Sequence, residues 1–230
     1  MRWNRVLALV ASLLLPAGVQ AQESYKVEPL KETPPAALAE PVKATLNAEG
    51  LRIVDDQGKT VADVWFRKAI PASGKPAGPD GPILFPTLKV GELIGALRFA
   101  EEGHDFRDQA IAKGVYTLRY GLQPMNGDHL GASPFRDFAL LVPAAKDKAL
   151  ADLAAKALHQ ESAESAGTSH PAILMLLEAP AGANKAGASM VHDEEKNTWG
   201  VVTSLTLLPK GESATVALPV QLVIVGMAMN

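Results

Sequence analysis

Apolar and polar positions alternate with a period of two along Lys59–Arg67. Thr60, Ala62, Val64 and Phe66 fall on one side, and Val61, Asp63, Trp65 and Arg67 on the other. The run follows Asp55-Asp56-Gln57-Gly58, a turn signature in which Gly58 supplies a positive φ, and Leu51-Arg52-Ile53-Val54 precedes that turn. Together they read as a β-hairpin. The same period returns in Val115–Gln123, with Tyr116, Leu118, Tyr120 and Leu122 on one face and Thr117, Arg119 and Gln123 on the other. Phe135–Val142 is apolar on both faces towards its end, the pattern of a central strand covered on both sides. Ala172–Leu177, Trp199–Leu208 and Thr215–Met227 read as further strands.

A period of 3.6 fits one stretch, about Ala145 to Gln160. There Leu150, Leu153, Ala154, Ala157 and Leu158 form a stripe opposite Lys146, Asp147, Asp152 and Lys156, with Gly167 and Pro171 marking the exit. Between the periodic segments, Pro71–Pro86 holds prolines 71, 76, 79, 82 and 86 and reads as a long surface loop, as does Ala179–Ser189. In Leu88–Phe99, Gly91 and Gly95 weigh against a helix. Short strands separated by Gly/Pro-rich turns, with one amphipathic helix near 145–160, predict a mainly β chain folded as an antiparallel, Ig-like β-sandwich.

The N-terminus changes this picture by setting a compartment. Arg2 and Arg5 precede the short apolar run Val6–Leu15, which Pro16 ends, and Val19-Gln20-Ala21 places small residues at a signal-peptidase site. The run is too short to span a bilayer, which takes about 20 residues. Residues 1–21 therefore read as a signal peptide cleaved after Ala21, with the mature chain exported to the periplasm or cell exterior. Residues 22–40, with Pro29, Pro34 and Pro35 among charges, read as an extended, mobile lead-in, and 41–230 as a single domain. The tail Val216–Met229 is too short for a membrane span, is interrupted by Pro219, and is rich in β-branched residues, so no transmembrane segment is expected.

Composition removes several classes of function. The formal charge of −3 comes with scattered lysines, which gives no field for nucleic acid. With no cysteine there is no disulfide, thiolate nucleophile or thiolate metal site. The spacings G-x-S-x-G, H-E-x-x-H, G-x-G-x-x-G and the P-loop are all absent, so no catalytic residue is assigned.

Candidate chemistry concentrates in His104–Asp137, where three arginines and four aspartates sit among aromatics. His104, Asp105, Arg107, Arg119, Asp128, His129, Arg136 and Asp137 are the candidate ligand-binding residues. His129 beside Asp128 reads first as a loop histidine capping a turn; the competing reading is a metal ligand or base, since imidazole needs an orienting carboxylate for either role. Charges interleaved with core residues must be paired, so cross-strand Arg–Asp pairs holding the loops are the competing explanation for this block. On that explanation Arg119 pairs with Asp137 or Asp108.

The runs GVYTLRY, GDHLG and PFRDF in this block, with DVWFRK at 63–68, resemble an uncharacterised family of exported bacterial proteins. The resemblance implies export and a shared fold, and no activity. Gly114, Tyr116, Gly127-Asp128-His129, Phe135 and Phe138 are also similar to the CopC-type copper-resistance β-sandwich domains. There the loop histidine binds Cu(II) together with a histidine at the mature N-terminus; here no histidine precedes His104. The expected function is thus a non-enzymatic envelope protein that binds or scaffolds an envelope protein or small ligand, with no cofactor. The alternative is a periplasmic copper-binding protein that uses Asp128 and His129.

Overall fold

The computed structural model describes residues 24–125, 133–182 and 187–226. The chain is mainly β. The strands are β1 (Tyr25–Leu30), β2 (Gly50–Asp55), β3 (Thr60–Phe66), β4 (Ile70–Ala72), β5 (Leu93–Phe99), β6 (Gly103–His104) and β7 (Ala110–Ile111). They continue as β8 (Gly114–Leu122), β9 (Asp137–Pro143), β10 (Ile173–Glu178), β11 (Ser189–Asp193), β12 (Thr198–Pro209) and β13 (Val216–Val225). Two helices accompany them, α1 (Glu40–Thr45) and α2 (Ala155–Ala166). Among the described residues, no helix is long and apolar enough to cross a membrane.

The expected hairpin is β2–β3, with Leu51 opposite Val64 and Arg52 opposite Asp63. Its turn closes as the residues require: Gly58 has φ +77, and the Asp55 carboxylate accepts hydrogen bonds from the Gln57 and Lys59 amides. The remaining order departs from a two-sheet sandwich. One 11-stranded sheet runs β1-β2-β3-β5-β8-β9-β10-β13-β12-β11, with β4 added parallel to β12. Strand β10 is the corner. Its first half, Ile173–Met175, pairs with β9, and its second half, Leu176–Glu178, pairs with β13, so both halves of the molecule join one curled half-barrel. The curl brings the outer strands together, and Tyr25 of β1 meets Trp199 of β12 edge-to-face at 5.5 Å.

The inner face holds the main core, including Ile53, Val64, Phe66, Leu97, Leu118, Leu141, Leu205 and Leu222. Tyr116, Leu118 and Tyr120 point into it, as the period of two requires. The outer face is covered as well. Leu38, Val42 and Leu46, in and around α1, pack on Trp65, Leu93 and Ala96; Leu158 of α2 packs on Phe138, Leu140 and Val142. This double cover accounts for the apolar run on both faces of β9.

Two other expectations change. The lead-in at 22–40 contains an ordered strand, because Tyr25–Leu30 pairs residue by residue with β2. In β11 the ring of His192 stacks on Trp199 at 4.1 Å. The helix expected near 145–160 runs instead from Ala155 to Ala166. The reason is Arg119, whose guanidinium takes the carbonyls of Ala149 and Ala151 that a helix would need for its own ladder. Residues 147–154 form an irregular strap across the outer face of β8.

Candidate functional site

The residues singled out in the sequence separate into buried anchors and exposed positions. Arg119 is fully buried and all of its N–H groups are spoken for. Nε and Nη2 donate to Asp147 at 2.6 and 2.7 Å, Nη1 to the Gly91 and Ala151 carbonyls, and Nη2 also to the Ala149 carbonyl. The Thr117 hydroxyl donates to the same Asp147 carboxylate. The partner is thus Asp147 on the strap, not Asp137 or Asp108, because Thr117 and Arg119 share the outer face while Asp137 accepts from Leu84, Phe85 and Tyr120 and Asp108 is exposed beside His104.

Asp137 is also buried, and accepts from the Leu84 and Phe85 amides and from the Tyr120 hydroxyl at 2.6 Å. It ties the Pro-rich loop to the sheet. Burial and this hydrogen bond raise the Tyr120 phenol far above its ordinary range, so it remains a neutral donor. Asp105 plays the same part for the β6–β7 hairpin, accepting from the Arg107, Gln109 and Ile173 amides. Arg136 donates to the Gln123 carbonyl. His104 is exposed and meets Asp108 at 3.0 Å, and Arg107 is exposed. Asp128 and His129 lie outside the described residues, so the copper reading stands on the sequence alone. Among the described residues, no group of three or more His, Asp or Glu side chains is arranged to hold a metal ion.

This division predicts a contrast. Tyr120→Phe removes one hydrogen bond to a buried carboxylate and is expected to cost about 1.5–3 kcal/mol. His104→Ala breaks only a solvent-exposed pair and is expected to cost less than about 1 kcal/mol. Urea-unfolding midpoints of the two variants check the ranking.

Among the several concavities of the described residues, two offer candidate binding sites. The smaller, about 60 Å³, is lined by Phe106, Phe138, Leu140 and Ile173 together with Arg107 and His159. It has room for a small apolar group only. The larger is an open cleft of about 720 Å³ between the ends of β4 and β12, the 86–92 turn and the strap. Its walls are held by backbone bonds: Ser73 N–H to the Thr87 carbonyl at 2.9 Å, Lys210 N–H to the Ala72 carbonyl at 2.9 Å, and Gly91 N–H to the Tyr120 carbonyl at 2.8 Å.

One wall of this cleft carries two carboxyl groups, Glu92 on the turn and Asp152 on the strap. Glu92 is almost fully buried and is ion-paired with Arg67; Asp152 is more open and is paired with Lys89. Burial, then the neighbouring Asp152, pushes Glu92 up to about 7 against the pull of Arg67. Burial also acts on Asp152, but Lys89, the Glu92 hydrogen bond and the more distant Arg119 charge hold it below the usual carboxylate range. The two acids are thus pushed in opposite directions, Glu92 towards its neutral form and Asp152 towards its ionised form. Neither acid stands out in the sequence. They lie in separate segments with no motif around them, and Asp152 reads there as the polar side of a helix.

Comparison of the chain with family models, with curated proteins and with solved structures finds no match in any of the three.

Proposed function

We propose that the chain is an exported, non-enzymatic binding protein of the bacterial envelope, and that its ligand occupies the cleft beside Glu92 and Asp152. The observation that carries this reading is the 720 Å³ cleft with two acids on its wall, the buried Glu92, which burial pushes up, and the more open Asp152. Binding sites for small molecules occupy roughly 300–1,000 Å³ and combine apolar lining with a few convergent polar groups. Strongly shifted carboxyls gather at such sites. Here Leu88, Leu208 and Pro86 supply apolar lining, and Ser73, Thr87, Lys89 and Lys210 supply further donors. A protonated Glu92 donates a hydrogen bond, and the Asp152 carboxylate accepts one. That set suits a small polar ligand with both donors and acceptors, of the sugar or amino-acid class.

A thermal-shift panel of monosaccharides, disaccharides, amino acids and dicarboxylic acids at pH 6 tests this. A ligand at about a hundredfold excess over its Kd stabilises by about 2.7 kcal/mol, which moves Tm by several degrees in a chain of this size. At least one class is expected to raise Tm in the wild type and to lose that effect in Leu208→Trp, which fills the cleft. A panel with no shift, or shifts that survive in Leu208→Trp, would contradict the assignment.

A further inference from the structure

Three elements build the small pit at the start of β10. The β6–β7 turn is docked there by two bonds, the Phe106 N–H to the Ile173 carbonyl at 2.8 Å and the Ile173 N–H to the Asp105 carboxylate at 3.0 Å. That docking sets the Phe106 ring against Phe138 of β9, with centroids 6.3 Å apart. Leu158 of α2 packs on Phe138 and Leu140 in the same cluster. The apolar floor is therefore fixed by packing from the turn, the sheet and the helix.

The charged groups around this floor are of one kind. The lining holds Arg107 and His159 and no carboxyl group. Asp105, beneath the turn, is buried and already accepts from the Arg107, Gln109 and Ile173 amides and from the Gln109 side chain. Asp108 meets His104. The exposed Arg107 guanidinium has no ion-pair or hydrogen-bond partner among the described residues.

We propose that the pit is a second binding site, for a short branched-chain monocarboxylate whose methyl groups rest on Phe106 and Phe138 and whose carboxylate pairs with Arg107. A guanidinium matches a carboxylate with two parallel hydrogen bonds, and its charge has no internal competitor here. The pit, at about 60 Å³, is well under the roughly 150 Å³ that holds a benzene ring, so it takes a branched alkyl end and not an aromatic one. With no acid in the lining, an ammonium group on the ligand finds no partner, which sets this site against free amino acids. The pit and the large cleft share no lining residue, so either can be filled whatever the other holds.

Titration of the full chain with isovalerate, followed by ligand-observed NMR, tests this. Saturable binding is expected, with isovaleramide and acetate each weaker by about tenfold or more, the first for want of charge and the second for want of the branched tip. Arg107→Gln, an exposed substitution that keeps the backbone amide bound to Asp105, is expected to reduce isovalerate to the affinity of the amide and to leave the amide unchanged. Leu208→Trp, which fills the cleft, is expected to leave isovalerate binding intact. The proposal is overturned by the absence of saturable binding, by L-leucine, benzoate or isovaleramide binding as tightly as isovalerate, or by an affinity that Arg107→Gln does not lower. Loss of isovalerate binding in Leu208→Trp would place the acid in the cleft and overturn it too. A silent sugar and amino-acid panel with isovalerate binding intact would remove the cleft assignment alone.

Discussion

Arg119→Ala is expected to lower stability by about 3–5 kcal/mol, the cost of stranding one member of a buried charge pair. Domains of this kind are stable by about 5–15 kcal/mol, so the loss takes a large share of the total. The substitution leaves the buried Asp147 carboxylate without its cation and frees the Gly91, Ala149 and Ala151 carbonyls at once. Arg119→Lys is not a rescue, because one ammonium cannot reach acceptors arranged around a planar fork. Both variants are expected to unfold at clearly lower urea concentration, with Lys less damaging than Ala. A neutral Arg119→Ala would mean that the strap does not depend on this side chain.

The second large effect is expected from Asp137→Ala. It deprives two buried amides, Leu84 and Phe85, and the Tyr120 hydroxyl of their acceptor. Each orphaned buried donor costs about 1–3 kcal/mol, so a total above about 3 kcal/mol is expected, exceeding that of Tyr120→Phe alone. The loss is also local. Those amides fasten the end of the Pro-rich loop, and limited proteolysis is expected to cut the variant within 74–83 well before the wild type. Resistance equal to wild type would show that the loop is held by Ser73 and Thr87 without Asp137.

These residues show where sequence reasoning works in this chain and where it stops. The period of two places Tyr116, Leu118 and Tyr120 inward and Thr117 and Arg119 outward, because alternation is a local property of a strand. It also shows that a buried arginine needs an acid. Which acid is a matter of topology: Asp147 reaches Arg119 from a strap whose own sequence has the period of a helix. Propensity there is outweighed by a charged side chain that claims the carbonyls a helix would use. Gly91 and Gly95 are legible as unsuited to a helix, but not as close approaches. A Cβ on Gly91, which has φ +88, would lie 1.9 Å from the Leu153 carbonyl oxygen, and one on Gly95 would lie 2.6 Å from that of Trp65.

The candidate site was hidden for the same reason. Glu92 and Asp152 acquire their character from burial and from the charges that meet them in the fold, Arg67 and Lys89, none of which leaves a spacing along the chain. The dense block His104–Asp137, by contrast, advertises chemistry and spends much of it on anchoring: Asp105 on a hairpin, Arg119 on the strap, Asp137 on the loop. Charged residues among aromatics are conspicuous in sequence whether they bind a ligand or hold the fold, since both uses require burial with partners.

The cleft account depends on a carboxyl that keeps its proton to near neutrality, and carboxyl-carbon NMR titration measures that directly. One glutamate resonance is expected to titrate with a midpoint near 7 and to vanish from the spectrum of Glu92→Gln. A spectrum in which every glutamate titrates in the ordinary range near 4.5, with nothing between pH 6 and 8, would contradict it.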